Sequence, residues 1–448
     1  MRIKLAFGRE GLWIDLPDRA NTTVIEPRFV PGLTKEEEKQ AIQAALRSPL
    51  GTPPLRELIL AAKSKAPVPS VAVVFSDLTR PMPNDRVLPV LLAELAEAGI
   101  PNEAITLING LATHRQQTEA ELRGMLGPEI YPDNQSPRYR IIQHDAWDPA
   151  HLVPVTANRT GRMVRVNRWY MEADIRILTG FIEPHFFAGF SGGPKAVLPA
   201  IADIDSVMDN HSAAMIADLQ STWAVTGGNP IWEEMFAVAD ATHPTFLLNV
   251  ALNKNKEITS VFAGDLLKAH TAGTEYVRKS AMQPIQEPFD VVITSNSGYP
   301  LDLNLYQAVK GMSAAALVTR EGGDILLAAE CWDGIPSHGQ YARLLREADS
   351  YQDLYNRIMT PGFRAPDQWQ AQIQARIQMK ARVHVYSSGL TDQELEDAKV
   401  IPCRSIEGTI AEILARNPQA SIGILPEGPQ TVPYLQREPS SNRSSSKF

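Results

Sequence analysis

Residues 71–110 read VAVVFSDLTRPMPNDRVLPVLLAELAEAGIPNEAITLING, and this stretch decides the fold class. VAVVFSD (71–77) has the continuous apolar character of a buried strand, LPVLLAELAEAGI (88–100) has the spacing of a helix, and AITLING (104–110) is a second strand. This order predicts two parallel strands joined by a crossover helix. Binding sites in such sheets lie outside the carboxyl ends of the strands.

The same alternation extends through most of the chain. Further strands are predicted at YRIIQHD (139–145), ADIRILTGF (173–181), DVVITSN (290–296), GDILLAAE (323–330), RVHVYSS (382–388) and SIGILPEG (421–428). A hairpin is predicted over 245–265, a long helix over 266–282, and a linker at QPIQEP (283–288).

The chain has 448 residues, which exceeds what one hydrophobic core usually supports. We therefore predict two α/β domains with mainly parallel sheets and the active site in the cleft between them. The N-terminal domain is expected over residues 1–282 and carries most of the candidate site, and the C-terminal domain over 283–435 closes it. The Ser-rich tail at 436–448 is predicted to be disordered.

Composition restricts the class of partner. Lys plus Arg number 43 against 51 Asp plus Glu, a net charge of −8, which argues against nucleic acid or an anionic membrane as the main partner. The two cysteines are too few for a disulfide framework and favour buried thiols, although a single bridge stays open. Gly8, Arg9 and Glu10 interrupt any signal peptide, and no apolar run has transmembrane length, so we expect a soluble, cytoplasmic protein.

Two polar segments follow the first predicted strands. SDLTRP (76–81) places Asp77 and Arg80 at a strand end, although the same residues could form an ordinary turn. NGLATHR (109–115) places His114 after the next strand, where an imidazole can exchange protons near neutral pH.

GFIEPHFFAGFSGGPKAVLP (180–199) is the most informative stretch of the chain. Its clustered glycines are Gly189, Gly192 and Gly193. They precede Lys195, and backbone amides at such a helix start could bind a phosphate. The spacing fits neither a P-loop nor a dinucleotide fingerprint. His185 lies ten residues before Lys195, which favours a functional role over a simple turn.

His211, in MDNHSA (208–213), lies sixteen residues after Lys195. No second His or Cys stands at ligand spacing, so a metal bound here would need donors from outside the protein.

LNLYQAVKG (303–311) is predicted to be a helix that places Tyr306, Gln307 and Lys310 close together. This trio could hold a carboxylate, or it could be the exposed side of an amphipathic helix.

Together these segments resemble the nickel-pincer-nucleotide-dependent lactate racemase family and its 2-hydroxy-acid homologues. The matching motifs, in order, are D-x-T-R-P at 77–81, T-H-R at 113–115, P-H-x-x-A-G-F-S-G-G-x-K at 184–195, N-H at 210–211 and L-Y-Q-x-x-K at 305–310. The match runs across nearly the whole chain.

The resemblance implies a cofactor, nickel held by pyridinium-3,5-bisthiocarboxylic acid mononucleotide. Lys195 would tether or contact it beside Gly189, Ser191, Gly192 and Gly193. His211 would be the protein's nickel ligand, because two sulfurs and a ring carbon of the cofactor supply the other donors.

The resemblance also implies the catalytic roles. His114 and His185 would be the acid/base pair, one taking the hydroxyl proton while hydride leaves C2, the other serving the opposite face. The implied substrate-binding residues are Asp77, Arg80, Tyr306, Gln307, Lys310 and Trp369. Of these, Arg80 and Lys310 would hold the carboxylate, Asp77 would orient Arg80 or a neighbouring polar group, and Trp369 would lie at the mouth of the site.

The implied partners are a small 2-hydroxy carboxylate, lactate or larger, and the enzymes that synthesise the cofactor, and a homodimer stays open. Two alternatives also stay open: a pyridoxal-phosphate racemase that uses Lys195, and a non-catalytic phosphate- or nucleotide-binding protein. The sequence departs from the family at Ser297, where a glycine is expected, and at Leu111–Ala112.

Overall fold

The computed structural model describes residues 1–18, 21–336 and 339–436. The predicted disordered tail therefore lies, from residue 437 onward, outside the described residues.

The strands are β1 Arg2–Leu5, β2 Leu12–Asp15, β3 Thr22–Val24, β4 Val71–Ser76, β5 Ile105–Gly110, β6 Arg140–Gln143, β7 Leu152–Ala157, β8 Met163–Asn167, β9 Ile175–Ile182, β10 Pro184–His185, β11 Gly189–Phe190, β12 Phe246–Leu252, β13 Ile258–Gly264, β14 Met282–Ile285, β15 Phe289–Ser295, β16 Thr319–Ala328, β17 Arg382–Tyr386, β18 Ile401–Pro402, β19 Ile422–Leu425 and β20 Val432–Leu435.

The α-helices are α1 Lys35–Arg47, α2 Leu55–Lys63, α3 Asn84–Glu97, α4 Glu119–Leu126, α5 Arg168–Met171, α6 Ile204–Asn210, α7 Ala213–Ala217, α8 Pro230–Ala241, α9 Leu266–Ala281, α10 Leu305–Ala316, α11 Tyr341–Glu347, α12 Tyr351–Met359, α13 Gln368–Lys380, α14 Asp392–Asp397 and α15 Ile406–Arg416. Short 3₁₀ turns lie at Asn102–Ala104, Pro149–His151, Gly193–Ala196 and Gly428–Gln430.

The first large sheet has the strand order β13-β12-β9-β4-β5-β6. Its strands are parallel except for the β12–β13 hairpin. The strand–helix–strand unit predicted over residues 71–110 consists of β4, α3 and β5, and its two strands pair in parallel. The predicted hairpin is also confirmed.

The second large sheet has the order β18-β17-β16-β15-β19-β3, and all of its strands are parallel. The predicted class, two α/β halves with mainly parallel sheets, is confirmed. The helices lie on both faces, as parallel sheets require because neither face can be left to solvent.

Long-range pairing differs from the sequence expectation in two places. The predicted linker at 283–288 contains β14, which pairs with β20, so that prediction is wrong. β3, near the start of the chain, joins the second sheet beside β19, although it lies within the predicted first domain. Pairings across such sequence separations leave no local pattern, and the boundary near residue 283 stays a prediction.

The core runs through the space between the sheets. One apolar cluster contains Val74 and Leu178 from the first sheet, Val309 from α10 and Trp369 from α13. The two halves therefore share one continuous apolar core. No helix among the described residues is long and apolar enough to cross a membrane.

Candidate active site

Asp77 and His114 follow the neighbouring strands β4 and β5, which brings the two side chains together. Nδ1 of His114 lies 2.6 Å from Oδ2 of Asp77, and the Thr79 hydroxyl donates to Oδ1 at 2.9 Å. Burial opposes the charge on Asp77, but His114, Arg80 and Thr79 outweigh it and lower the pKa of this carboxyl. Because the carboxylate accepts from Nδ1, the neutral His114 ring carries its proton there and leaves a lone pair on Nε2.

His185 ends β10 and is 5% exposed. The Ala188 backbone N–H donates to Nδ1 at 3.2 Å, so in this conformation the His185 ring proton lies on Nε2. Burial, helped by Lys195 and Lys310, holds the pKa of His185 well below its usual value and keeps the ring neutral. The two histidines are therefore held in opposite tautomers.

Lys195 follows a tight turn at Gly192 and Gly193, where any larger residue would clash with its neighbours. Gly192 and Gly193 have φ of 74° and 51°, and a Cβ would lie 2.7 Å from Oδ1 of Asn249 and 2.5 Å from the His270 ring, respectively. Burial, with Arg80 and Lys310, lowers the pKa of Lys195 well below that of an ordinary lysine. A lysine with a lowered pKa gives up its proton more readily and can then act as a nucleophile.

Two backbone amides of this turn donate hydrogen bonds within the chain. Gly193 N–H donates to Asn249 at 2.8 Å, and Ser191 N–H donates to the Glu183 carbonyl at 2.9 Å. The Ser191 hydroxyl donates to the Phe181 carbonyl at 3.0 Å. These groups shape the turn rather than offering a ready phosphate cradle, so cofactor contacts of Gly189, Ser191, Gly192 and Gly193 stay a prediction.

His211 directly follows α6 and is 3% exposed. Its Nδ1 is buried and has no hydrogen-bond partner among the described residues. Burial, with the charge of Lys195, lowers the pKa of His211 to about 3, so the ring is neutral, as metal ligation requires. Phe187 and Trp369 contact the ring edge-on, at centroid distances of 5.0 and 5.1 Å. In the described part of the chain, no three His, Cys, Asp or Glu side chains cluster as a metal site.

α10 brings the carboxylate-binding candidates into the same space. Oε1 of Gln307 and Nζ of Lys310 are buried without partners among the described residues. The Tyr306 hydroxyl accepts from Nε1 of Trp369 at 2.9 Å, which leaves its own proton to donate. Buried polar atoms are rarely left unpaired unless a ligand or water satisfies them.

One cavity between the two halves unites these residues. Its lining includes Arg80, His114, His185, Lys195, His211, Tyr306, Gln307, Lys310 and Trp369. An adjoining space beside the Lys195 turn is lined by Asp77, Arg80, His114 and Gly192. Ser191 also lines this adjoining space, whereas Gly189 lines neither space.

Glu183 was not predicted from the sequence. Burial raises the pKa of its carboxyl, although Lys310, Arg80 and Lys195 act in the opposite direction. Burial and Arg80 lower the pKa of Lys310, and Glu183 opposes that shift. Glu183 is thus a half-buried carboxyl group close to three cationic side chains, and this cluster suits an anionic ligand.

The two departures from the family pattern lie where the backbone is left-handed. Ser297 has φ of 65° and Ala112 has φ of 51°. The Ser297 hydroxyl donates to the Glu427 carbonyl at 2.6 Å, and Ala112 N–H donates to the Ala200 carbonyl at 3.0 Å. These bonds hold non-glycine residues in a conformation that favours glycine.

Family models match both halves of the chain. One described as the lactate racemase N-terminal domain matches residues 7–224, and one described as the lactate racemase C-terminal domain matches residues 285–432.

Individual relatives agree with the family models. The lactate racemase of Thermoanaerobacterium thermosaccharolyticum is 33% identical over 435 residues, 96% of this chain and 98% of that protein. The lactate racemase of Lactiplantibacillus plantarum is 34% identical over 397 residues, 88% of this chain and 90% of that protein.

Solved structures give the same result. The lactate racemase apoprotein from Thermoanaerobacterium thermosaccharolyticum aligns with a TM-score of 0.85 and 30% identity, covering 98% of this chain and 100% of that one. A Thermotoga maritima protein aligns with a TM-score of 0.68 and 20% identity over 91% of this chain and 100% of its own, which shows a shared fold alone.

Proposed function

The chain belongs to the lactate racemase family, a family of isomerases, and from that premise we propose that it inverts C2 of a 2-hydroxy acid. Lactate, named for its relatives, is the first substrate to test. One observation carries the proposal: Nδ1 of His211, Oε1 of Gln307 and Nζ of Lys310 are buried without a hydrogen-bond partner among the described residues, and their side chains line one cavity with two histidines.

The residues fit the cofactor that the family resemblance implies. A nickel ion held by three donors of a pincer nucleotide would need one further ligand. The neutral His211, whose Nδ1 has no hydrogen-bond partner in the described part of the chain, can supply it. Lys195, which lines the same cavity, would contact the nucleotide. When bound, that group would supply the chemistry that removes hydride from C2 and returns it.

The histidines would handle the hydroxyl proton. His114 would accept it on Nε2, and Asp77 would stabilise the resulting imidazolium, so we assign Asp77 to orienting His114 rather than to substrate contact. His185 would serve the opposite face through its Nε2. To deliver a proton from Nε2, the neutral ring must first take up a second proton on Nδ1, and after delivery it keeps that Nδ1 proton. A protonated Nδ1 cannot accept from the Ala188 N–H, so we propose that this bond breaks when ligands bind.

The racemase proposal is tested by assaying protein co-produced with the cofactor-synthesis enzymes. Each lactate enantiomer should give an equal mixture of both, and metal analysis should find about one nickel per chain. Fully nickel-loaded protein that leaves lactate and larger 2-hydroxy acids unchanged would contradict the proposal. Pyridoxal absorbance in place of nickel would favour the alternative racemase.

Arg80→Lys and Lys310→Ala should weaken substrate binding. Each charge-assisted contact with a carboxylate contributes roughly 1.5–3 kcal/mol, so kcat/KM should fall by about one to two orders of magnitude in each variant. Arg80→Lys should lose activity although its charge remains, because a lysine cannot form the two-pronged contact. Nickel content should stay unchanged. A nickel content that decreases in proportion to activity would show that these residues hold the cofactor rather than the substrate.

Glu183→Gln should move the alkaline rise of KM to lower pH. Burial lowers the pKa of Lys310 and Glu183 opposes this, so Lys310 should lose its proton at lower pH in the variant. A deprotonated amine holds a carboxylate poorly, so KM should begin to rise at lower pH than in the wild type and recover on acidification. Measuring KM against pH for both proteins checks this. Identical profiles would show that Glu183 does not affect the protonation of Lys310.

A further inference from the structure

The C-terminal half contacts both helices that flank His211. α6 ends just before His211, and α7 begins two residues after it. Arg364, in the loop before α13, donates to Oδ1 of Asp209 at 2.6 Å and to Oδ1 of Asp205 at 2.8 Å. Both acceptors lie on α6, so one guanidinium joins two carboxylates across the cleft.

The same half also holds α7. Nε2 of Gln372 donates to the Ala213 carbonyl at 2.9 Å, and Nη1 of Arg376 donates to the Ile216 carbonyl at 3.3 Å. Both donors lie on α13, the helix whose first turn carries Trp369 against His211. Contacts from one helix and its preceding loop therefore reach α6, α7 and the His211 ring between them.

We propose that Arg364, supported by Gln372 and Arg376, is a positioning residue that fixes the His211 segment from the opposite half of the molecule. α6 and α7 have seven and five residues, and helices this short need tertiary contacts to hold their geometry. The cleft must then be closed for His211 to be held in place. The positioning role does not depend on the proposed function. Only its expected effect on nickel binding rests on that function.

Arg162 provides a matched control. Its Nε donates to Oδ2 of the same Asp209 at 2.8 Å, but it lies in the β7–β8 hairpin of the N-terminal half. The side chains of Arg162 and Arg364 are 47% and 37% exposed. Arg162→Gln thus removes a guanidinium from Asp209 without removing a contact across the cleft.

The test compares hydrogen–deuterium exchange of residues 204–217 in apoprotein of the wild type, Arg364→Gln and Arg162→Gln. Exchange should be about tenfold faster in Arg364→Gln, near the wild-type rate in Arg162→Gln, and partly restored in Arg364→Lys, which can still hold one carboxylate. Loaded Arg364→Gln should also release nickel to a chelator about tenfold faster, whereas Arg162→Gln should not.

Equal exchange in the two glutamine variants, or unchanged exchange in Arg364→Gln, would overturn the positioning role. Faster exchange with unchanged nickel release would overturn its link to the metal. Wild-type protein without nickel would instead contradict the proposed function, and the apoprotein measurement would still decide the positioning role.

Discussion

His114→Ala and His185→Ala are each expected to abolish measurable racemisation. Loss of a general acid or base typically costs two to four orders of magnitude, about 10²–10⁴ in rate. The enantiomers have equal free energies, so kcat/KM must fall by the same factor in both directions. His151→Ala is the control, since this histidine is half-exposed and pairs with Asp148 outside the cavity.

Single-turnover experiments separate the two histidines. If each serves one face, each variant should still convert one enantiomer to bound 2-keto acid, and the two variants should retain opposite enantiomers. Rapid quenching and keto-acid quantification measure this. Variants that both fail with the same enantiomer would contradict the two-sided arrangement.

His211→Ala should lose most of its nickel, to below about a tenth of the wild-type content, because it removes the ligand that the protein is proposed to supply. Nδ1 of His211 is buried and has no partner within residues 1–18, 21–336 and 339–436, so its removal also relieves an unsatisfied polar group and the apoprotein should remain folded. Metal analysis and circular dichroism check both points.

His144→Ala is the matched control for nickel loss. His144 is also buried, but its Nε2 bonds the Ala202 carbonyl at 3.0 Å away from the cavity lining. That variant should keep its nickel even if it is less stable. Full nickel occupancy in His211→Ala would remove His211 as the ligand.

Local sequence patterns predicted the elements that carry the site, because burial and spacing are encoded within ten or so residues. β4, β5, β9 and α10 lie where their apolar runs place them. β3 and β14 were missed because their partners, β19 and β20, are distant in the chain. Short strands paired at long range have no periodicity of their own.

Some residues of the candidate site could be predicted from the sequence, and others could not. Motif residues such as His114 and Lys310 could be identified because their types and order are distinctive. Glu183 could not, because its importance comes from cations that only the fold brings near. Arg364 and Asn249 act through contacts with distant residues, and neither residue type signals such a role alone.

The most direct test of the central claim is racemisation of L-lactate deuterated at C2 by the nickel-loaded protein in ordinary water. Hydride removal and return within a closed site should give D-lactate that retains deuterium at C2, measured by chiral separation and mass spectrometry. D-Lactate that has lost its deuterium to solvent, or no D-lactate at all, would contradict the proposed reaction.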